Sequence, residues 1–100
     1  MVIERLEIMV LDGREAEFEA ALCDVRQDVF MSKGFRHFTV GRGVENPSSF
    51  LIQVLWESLQ EHTDHVRSGR FQQCWEQIQP FLAQAPRVDR FEERPSLAYR

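Results

Sequence analysis

The stretch that decides the fold is SFLIQVLWESLQEHTDHVRSGRF, residues 49–71. Its opening half alternates: Phe50, Ile52, Val54 and Trp56 fall on one side of an extended chain, and Leu51, Gln53, Leu55 and Glu57 on the other. A strand that is apolar on one face and half apolar on the other belongs to a sheet covered on one side, whose second side also needs cover. Ser58 and Glu61 then stand at capping-box spacing and open a helix through about Ser68, with Gly69 where a left-handed residue would close it. That helix carries His62 and His65.

Working outward, Val2 to Leu11 also alternates, with Leu6, Ile8 and Val10 on one face and Arg5, Glu7 and Met9 on the other. Asp12-Gly13 ends this strand, and Asp12 with Glu15 reads as the start of a helix whose stripe is Phe18, Leu22, Val25 and Val29, down to about Met31. Ser32-Lys33-Gly34 stops it, Phe35 to Arg42 forms a second strand, and Glu45-Asn46-Pro47-Ser48 turns into the strand at Ser49 to Trp56. Beyond Gly69, the residues Phe71, Trp75, Ile78 and Leu82 mark a third helix that Pro80 should break. Pro86 ends that helix, and Val88 to Glu93 makes a fourth strand.

The order is β-α-β-β-α-α-β. With the two consecutive helices taken together this is the ferredoxin-like split unit, an α+β fold with a four-stranded antiparallel sheet and its helices on one face. The opposite face carries Met9, Leu51 and Leu55 among Arg5, Glu7, Gln53 and Glu57. Such a surface suits two copies meeting sheet to sheet, so a homodimer through the sheet faces is expected.

The composition agrees with one small domain. The 100 residues are 43% hydrophobic and 28% charged, and a chain of this size buries about 65% of the surface its unfolded form exposes, so an oligomer would help it. The formal net charge of −4, with scattered basic residues, disfavours nucleic acid as a partner, because phosphate binding needs a clustered positive face. There is no apolar run of the ~20 residues that a membrane span requires, and Glu4, Arg5 and Glu7 interrupt the first apolar segment where a signal peptide must be continuous. A cytoplasmic location follows as the expectation. Cys23 and Cys74 lack CxxC partners and read as two reduced thiols, with no metal site spelled out.

Chemistry concentrates on the segment after Trp56. If Leu59 and Val66 mark the inward direction of the helix, His62 lies about 50° from that stripe and His65 about 110° from it. His62 should therefore face the space between helix and sheet, and His65 should sit on a solvated flank. An inward imidazole is suited to general acid or base work near neutral pH, and Trp56 offers a flat ring for an aromatic substrate. Both residues have plain structural alternatives, His62 as a hydrogen-bonded core histidine and Trp56 as core filling. His37, on the second strand, is assigned to one face with Phe35 and Thr39. A Walker loop, GxGxxG, HExxH or Ser-His-Asp order is absent from the sequence, and Glu15, Glu17, Glu19, Asp24 and Asp28 read as a solvated helix face.

The strand ending in Asp12-Gly13, the Gly34-Phe35 entry, the LWES strand end, and a His-bearing helix running into GRFQQCWEQIQPFL together resemble the antibiotic biosynthesis monooxygenase family of the dimeric α+β barrel superfamily. The resemblance covers residues 2–93 and leaves a polar tail at 94–100 within a single domain spanning 1–100. It implies two subunits facing each other through their sheets and a ligand cavity in each, between sheet and helices. In the haem-degrading branch an Asn on the first strand, a Trp closing the third and a His on the following helix are characteristic. Trp56 fits the Trp position, but Leu6 stands at the Asn position and neither His62 nor His65 has that branch's spacing. The resemblance therefore points to an oxygenase with no cofactor and no metal, in which a phenol or quinol is deprotonated and the anion is steadied by a polar group.

On this reading His62 is the catalytic residue, and Trp56, Phe50, Trp75, His65, His37 and Arg90 contribute to substrate binding. The alternative is a non-catalytic small-molecule-binding or structural dimeric module of the same fold. The discriminator is space: if Phe50, Ile52, Trp56, Val66 and Trp75 fill the gap between helices and sheet, no substrate fits.

Overall fold

The computed structural model describes residues 1–98; the last part of the expected tail, Tyr99 and Arg100, lies outside the described residues. The strands are β1 (Val2–Met9), β2 (Phe35–Arg42), β3 (Ser49–Trp56) and β4 (Arg87–Glu92). The helices are α1 (Glu15–Phe30), α2 (Leu59–Val66) and α3 (Gly69–Ile78), with short 3-10 turns at Gln79–Phe81 and Pro95–Leu97. The strands form one antiparallel sheet in the order β2-β3-β1-β4. The α+β ferredoxin-like arrangement is thus the one the alternation of residues 49–56 announces. No helix among the described residues is long and apolar enough to cross a membrane.

The helix-facing side of the sheet carries Glu4, Leu6 and Ile8 from β1, and Phe50, Ile52, Val54 and Trp56 from β3. Phe18, Leu22, Val25 and Val29 of α1 close onto that side. The Phe18 and Phe50 rings meet at 4.9 Å, and burying a side chain of this kind contributes about 1.5–3 kcal/mol. α3 ends at Ile78, two residues ahead of Pro80, and the 3-10 turn lets Leu11 donate to the Phe81 carbonyl at 2.9 Å and Ala83 to that of Met9 at 2.8 Å. The break at Pro80 thereby anchors the chain to the end of β1.

Several local expectations are corrected. Asp12 does not cap α1: Gly13 turns with φ 85°, the helix starts at Glu15, and the Asp12 carboxylate instead accepts from Ser48 Oγ at 3.1 Å. Gly69 does not close α2 in a left-handed conformation; it is the first residue of α3, whose N-terminus is capped by Ser68 accepting from Phe71 N. Ser58 caps α2 by accepting from Glu61 N, and each such cap stabilises its helix by about 1 kcal/mol. Gly34 does adopt the left-handed conformation, with φ 83°, and a Cβ there would collide with the Glu61 side chain.

A bulge at Arg36 shifts the register of β2, so Phe35 pairs with Trp56 while His37 pairs with Leu55. His37 accordingly shares a face with Thr39 but not with Phe35, and that face is the one turned away from the helices.

Candidate active site

β1 brings an acidic residue into the core. Glu4 occupies the helix-facing side two residues before Leu6, is buried, and accepts a hydrogen bond at Oε1 from Trp56 Nε1 at 3.0 Å. Its other oxygen lies 2.9 Å from His62 Nε2. The ring N–H axis is not aligned with that oxygen, so the contact is chiefly Coulombic, and Nδ1 has no hydrogen-bond partner among the described residues. The side chains of His62 and Glu4 are only 4% and 10% exposed. A carboxylate thus holds the indole at one oxygen and lies against the His62 ring at the other, while both ring nitrogens of His62 are buried without a hydrogen-bond partner among the described residues.

His65 is the clearest correction. It is buried, at 9% exposure, not solvated on a flank. Its ring packs on Trp56 at 5.0 Å and on Phe71 at 5.5 Å, and its Nδ1 is hydrogen-bonded to Ser32 Oγ across 2.9 Å. Burial, its largest influence, pulls the His65 pKa below the ordinary histidine value; Glu4 opposes that shift and His62 adds to it. Leu59 and Val66, the supposed inward pair, are 49% and 40% exposed. The helix is rotated away from its apolar stripe because the sheet beneath it presents Glu4 and the Trp56 ring, and the two imidazoles match that polar patch better than an aliphatic pair would.

Between the sheet and the helices lies a cavity of about 750 Å³. Its interior wall is mostly apolar, drawn from β1, β3, α1 and α3, with Glu4, His62, His65 and Cys74 as polar features. Cys74 Sγ donates to Asp28 Oδ2 at 3.1 Å, and burial together with that carboxylate pushes its pKa up to about 12. The mouth is marked by exposed lining residues, among them Arg67, Gln72, Val88 and Arg90.

The residues singled out in the sequence therefore separate. His62, His65, Trp75 and Arg90 line the cavity. Trp56 is fully buried behind His62 and His65, and Phe50 is packed against Phe18; neither ring lines the cavity. His37 lies on the far side of the sheet. Ile52, Val66 and Trp75 border the space without filling it. Among the described residues no group of three or more His, Cys, Asp or Glu side chains is placed to hold a metal ion. Sequence reasoning missed Glu4, although its signal was present: in Val2-Glu4-Leu6-Ile8-Val10 it is the one charged residue on the apolar face of β1.

The model of the antibiotic biosynthesis monooxygenase family matches residues 1–77, and the chain belongs to that family. It is similar to the uncharacterised protein YczJ of Bacillus subtilis, with 28% identity over 93% of this chain and 99% of YczJ. Among solved structures, a Bordetella bronchiseptica protein provisionally assigned as an antibiotic biosynthesis monooxygenase superposes with a TM-score of 0.87 at 28% identity, covering 93% of this chain and 96% of that one. The fold is also that of SnoaB, a cofactor-independent oxygenase from Streptomyces nogalater, with a TM-score of 0.86 at 17% identity over 98% of this chain and 97% of SnoaB.

Proposed function

We propose that the chain is a cofactor-independent monooxygenase-like enzyme that acts on a small aromatic phenol or quinol held between sheet and helices. The observation that carries this reading is the buried Glu4–His62 pair on the wall of a mostly apolar cavity of about 750 Å³. Ligand sites of this volume and lining hold aromatic molecules, and an imidazole on their wall is a group suited to taking a phenolic proton. The kinship of fold with SnoaB supports the same reaction class.

In this scheme His62 accepts the proton and Glu4, 2.9 Å from Nε2, stabilises the imidazolium that results. Glu4 is itself fixed by the Trp56 indole, so Trp56 serves as a positioning residue behind the wall. The phenolate supplies all the electrons. A phenol C–H becomes a quinone carbonyl as one atom of O₂ enters the ring, and the other atom leaves as water with the phenolic and ring hydrogens. No outside reductant is needed.

The test is oxygen consumption with a panel of phenols and quinols. We expect turnover by the wild type, a loss of about 10²-fold or more in His62→Ala, and a smaller loss in Glu4→Gln. Ligand binding with no oxygen uptake across the panel would place the chain among non-catalytic binding modules of this fold and overturn the enzymatic reading.

We also infer a homodimer. The outer sheet face pairs Ile3 with Leu55 and with Phe91, and sets Leu51 opposite Glu7, an amphipathic surface suited to a second copy. Light scattering at micromolar concentration should give twice the chain mass, and a monomeric mass would overturn the assignment.

A further inference from the structure

The reaction proposed above leaves a quinone in the cavity, and quinones are electrophiles that thiols attack. Among the described residues lining the cavity lysine is absent, and Cys74 supplies the thiol. The same cavity holds His62, whose side chain is 4% exposed and whose two ring nitrogens have no hydrogen-bond partner among the described residues. Buried nitrogens left open in this way mark the chamber as a place for a ligand. A product formed beside His62 therefore shares its chamber with a nucleophile.

A thiol adds to a quinone as the thiolate. Sulfur bonds to a ring carbon, the displaced electron pair moves onto a carbonyl oxygen, and that oxygen takes up the proton the thiol has lost. The hydrogen on the attacked carbon then shifts to the second carbonyl oxygen. Every atom of both partners is kept: the quinone is reduced to a hydroquinone and the sulfur becomes an aryl thioether, so no outside oxidant or reductant enters. Such an adduct would block the chamber in which it forms.

Asp28 opposes the first step. The sequence groups it with a solvated acidic face, but in the structure it is half-buried on α1 and its carboxylate accepts the Cys74 S–H at 3.1 Å. Asp28 does not itself line the cavity, so the S–H is turned toward the helix behind the wall. Loss of the proton would set a thiolate beside a carboxylate in a buried place. Burial first, and then Asp28, push the thiol pKa up to about 12, and Arg70 on α3 pulls the other way and is outweighed.

We propose that Cys74 is a covalent capture site for quinones, and that Asp28, by holding the Cys74 proton, lets the cavity form and release a quinone without being alkylated. Asp28 acts through the thiol and is a positioning residue. The inference rests on the reading of the cavity as a phenol or quinol site and adds to it a safeguard against the product.

The experiment uses the full chain with Cys23→Ser, which leaves Cys74 as its thiol. Naphthoquinone is the probe, and the adduct is followed by intact mass and located by peptide mapping. At pH 7 we expect Asp28→Asn to be alkylated at Cys74 about tenfold faster than the chain that keeps Asp28, the change that about one unit of thiol pKa produces. With Asp28 in place the rate should rise about tenfold from pH 7 to pH 8, a measurement that needs no change at position 28. Val29→Ala enlarges the same wall while keeping the carboxylate, and should leave the rate as it was. Calorimetric binding of naphthol, which has no electrophilic carbon, is measured on the same chains. Naphthol binding combined with equal alkylation with and without Asp28→Asn, with a rate indifferent to pH, or with Val29→Ala accelerating it as much as Asp28→Asn, overturns this inference and leaves the phenol site standing. Failure of naphthol to bind overturns both.

Discussion

The two ends of the helix-facing side of the sheet are equally buried and held together by different physics. At one end, the dry end, Phe18 and Phe50 pack with Ile8 and Val10 in an apolar cluster. At the other, Trp56 is just as inaccessible, but its neighbours are Glu4, His62 and His65, and a cavity opens beside them. Dispersion and hydrophobic burial close the first end, and they need no particular partner geometry. The second end depends on each polar group meeting its counterpart, so it is specific, costly to disturb and chemically capable.

The largest effect is expected at the dry end. Phe18→Ala should lower stability by about 3–5 kcal/mol, read from the shift of the urea midpoint, because the ring is fully enclosed and the hole it leaves cannot collapse. Trp75→Ala, although a larger truncation, should cost less than half as much, since that ring is only partly buried and already borders empty space. Equal costs for the two would mean that the ends do not differ in packing as described.

Second in size is the polar end. Glu4→Ala should destabilise by about 2 kcal/mol, the scale of a buried hydrogen bond to a charged group, because Trp56 Nε1 then loses its acceptor and His62 the carboxylate beside it. Glu4→Gln should cost less, as the amide oxygen can still accept from the indole. Urea titration checks the sizes, and the near-ultraviolet dichroism of Trp56 should change in Glu4→Ala. An unchanged spectrum with unchanged stability would remove the carboxylate from the argument.

The contrast between the ends also explains what the sequence made legible. Strand alternation fixes which residues of β1 and β3 meet the helices, and the Phe18, Leu22, Val25, Val29 stripe does the same for α1, because apolar burial has a simple periodic signature. α2 defeats that rule. Its inward face carries His62 and His65, and its orientation is set by groups brought close from residues 4, 32 and 56, which no local pattern encodes. The face assignment of His37 failed for a similar reason: a bulge at Arg36 reverses side-chain direction, and a one-residue shift moves every later side chain of the strand to the opposite face.

A third effect, smaller again, separates the two histidines of the polar end. The folded state depresses the His65 pKa below its ordinary value of 6.5, chiefly through burial. The unfolded chain therefore takes up a proton at a higher pH than the native one, and stability must fall as pH drops from about 6.5 through the native value. Urea midpoints measured through that range should decline for the wild type and decline less for His65→Gln. Parallel pH profiles for the two proteins would show that His65 titrates alike in both states.

The smallest effect is chemical and leaves the fold untouched. Cys23 is exposed, whereas Cys74 is buried on the cavity wall with its thiol donating to Asp28 and its pKa pushed up to about 12. At pH 8 only about one Cys74 in 10⁴ is then a thiolate, the form that reacts with alkylating and disulfide reagents. A native chain treated with iodoacetamide at pH 8 should lose the Cys23 thiol, and Cys74 should react only after unfolding in guanidinium. Raising the pH from 8 to 9 should speed whatever slow native reaction Cys74 shows by about tenfold, because the thiolate fraction, not entry to the cavity, limits it. Asp28→Asn removes one of the two causes of the raised pKa and should speed the same reaction at fixed pH, while Phe18→Leu at the dry end should leave it unchanged. If Cys74 is instead modified as fast as Cys23 in the native chain, the carboxylate is not holding the thiol protonated, and the polar end is less tightly paired than its distances imply.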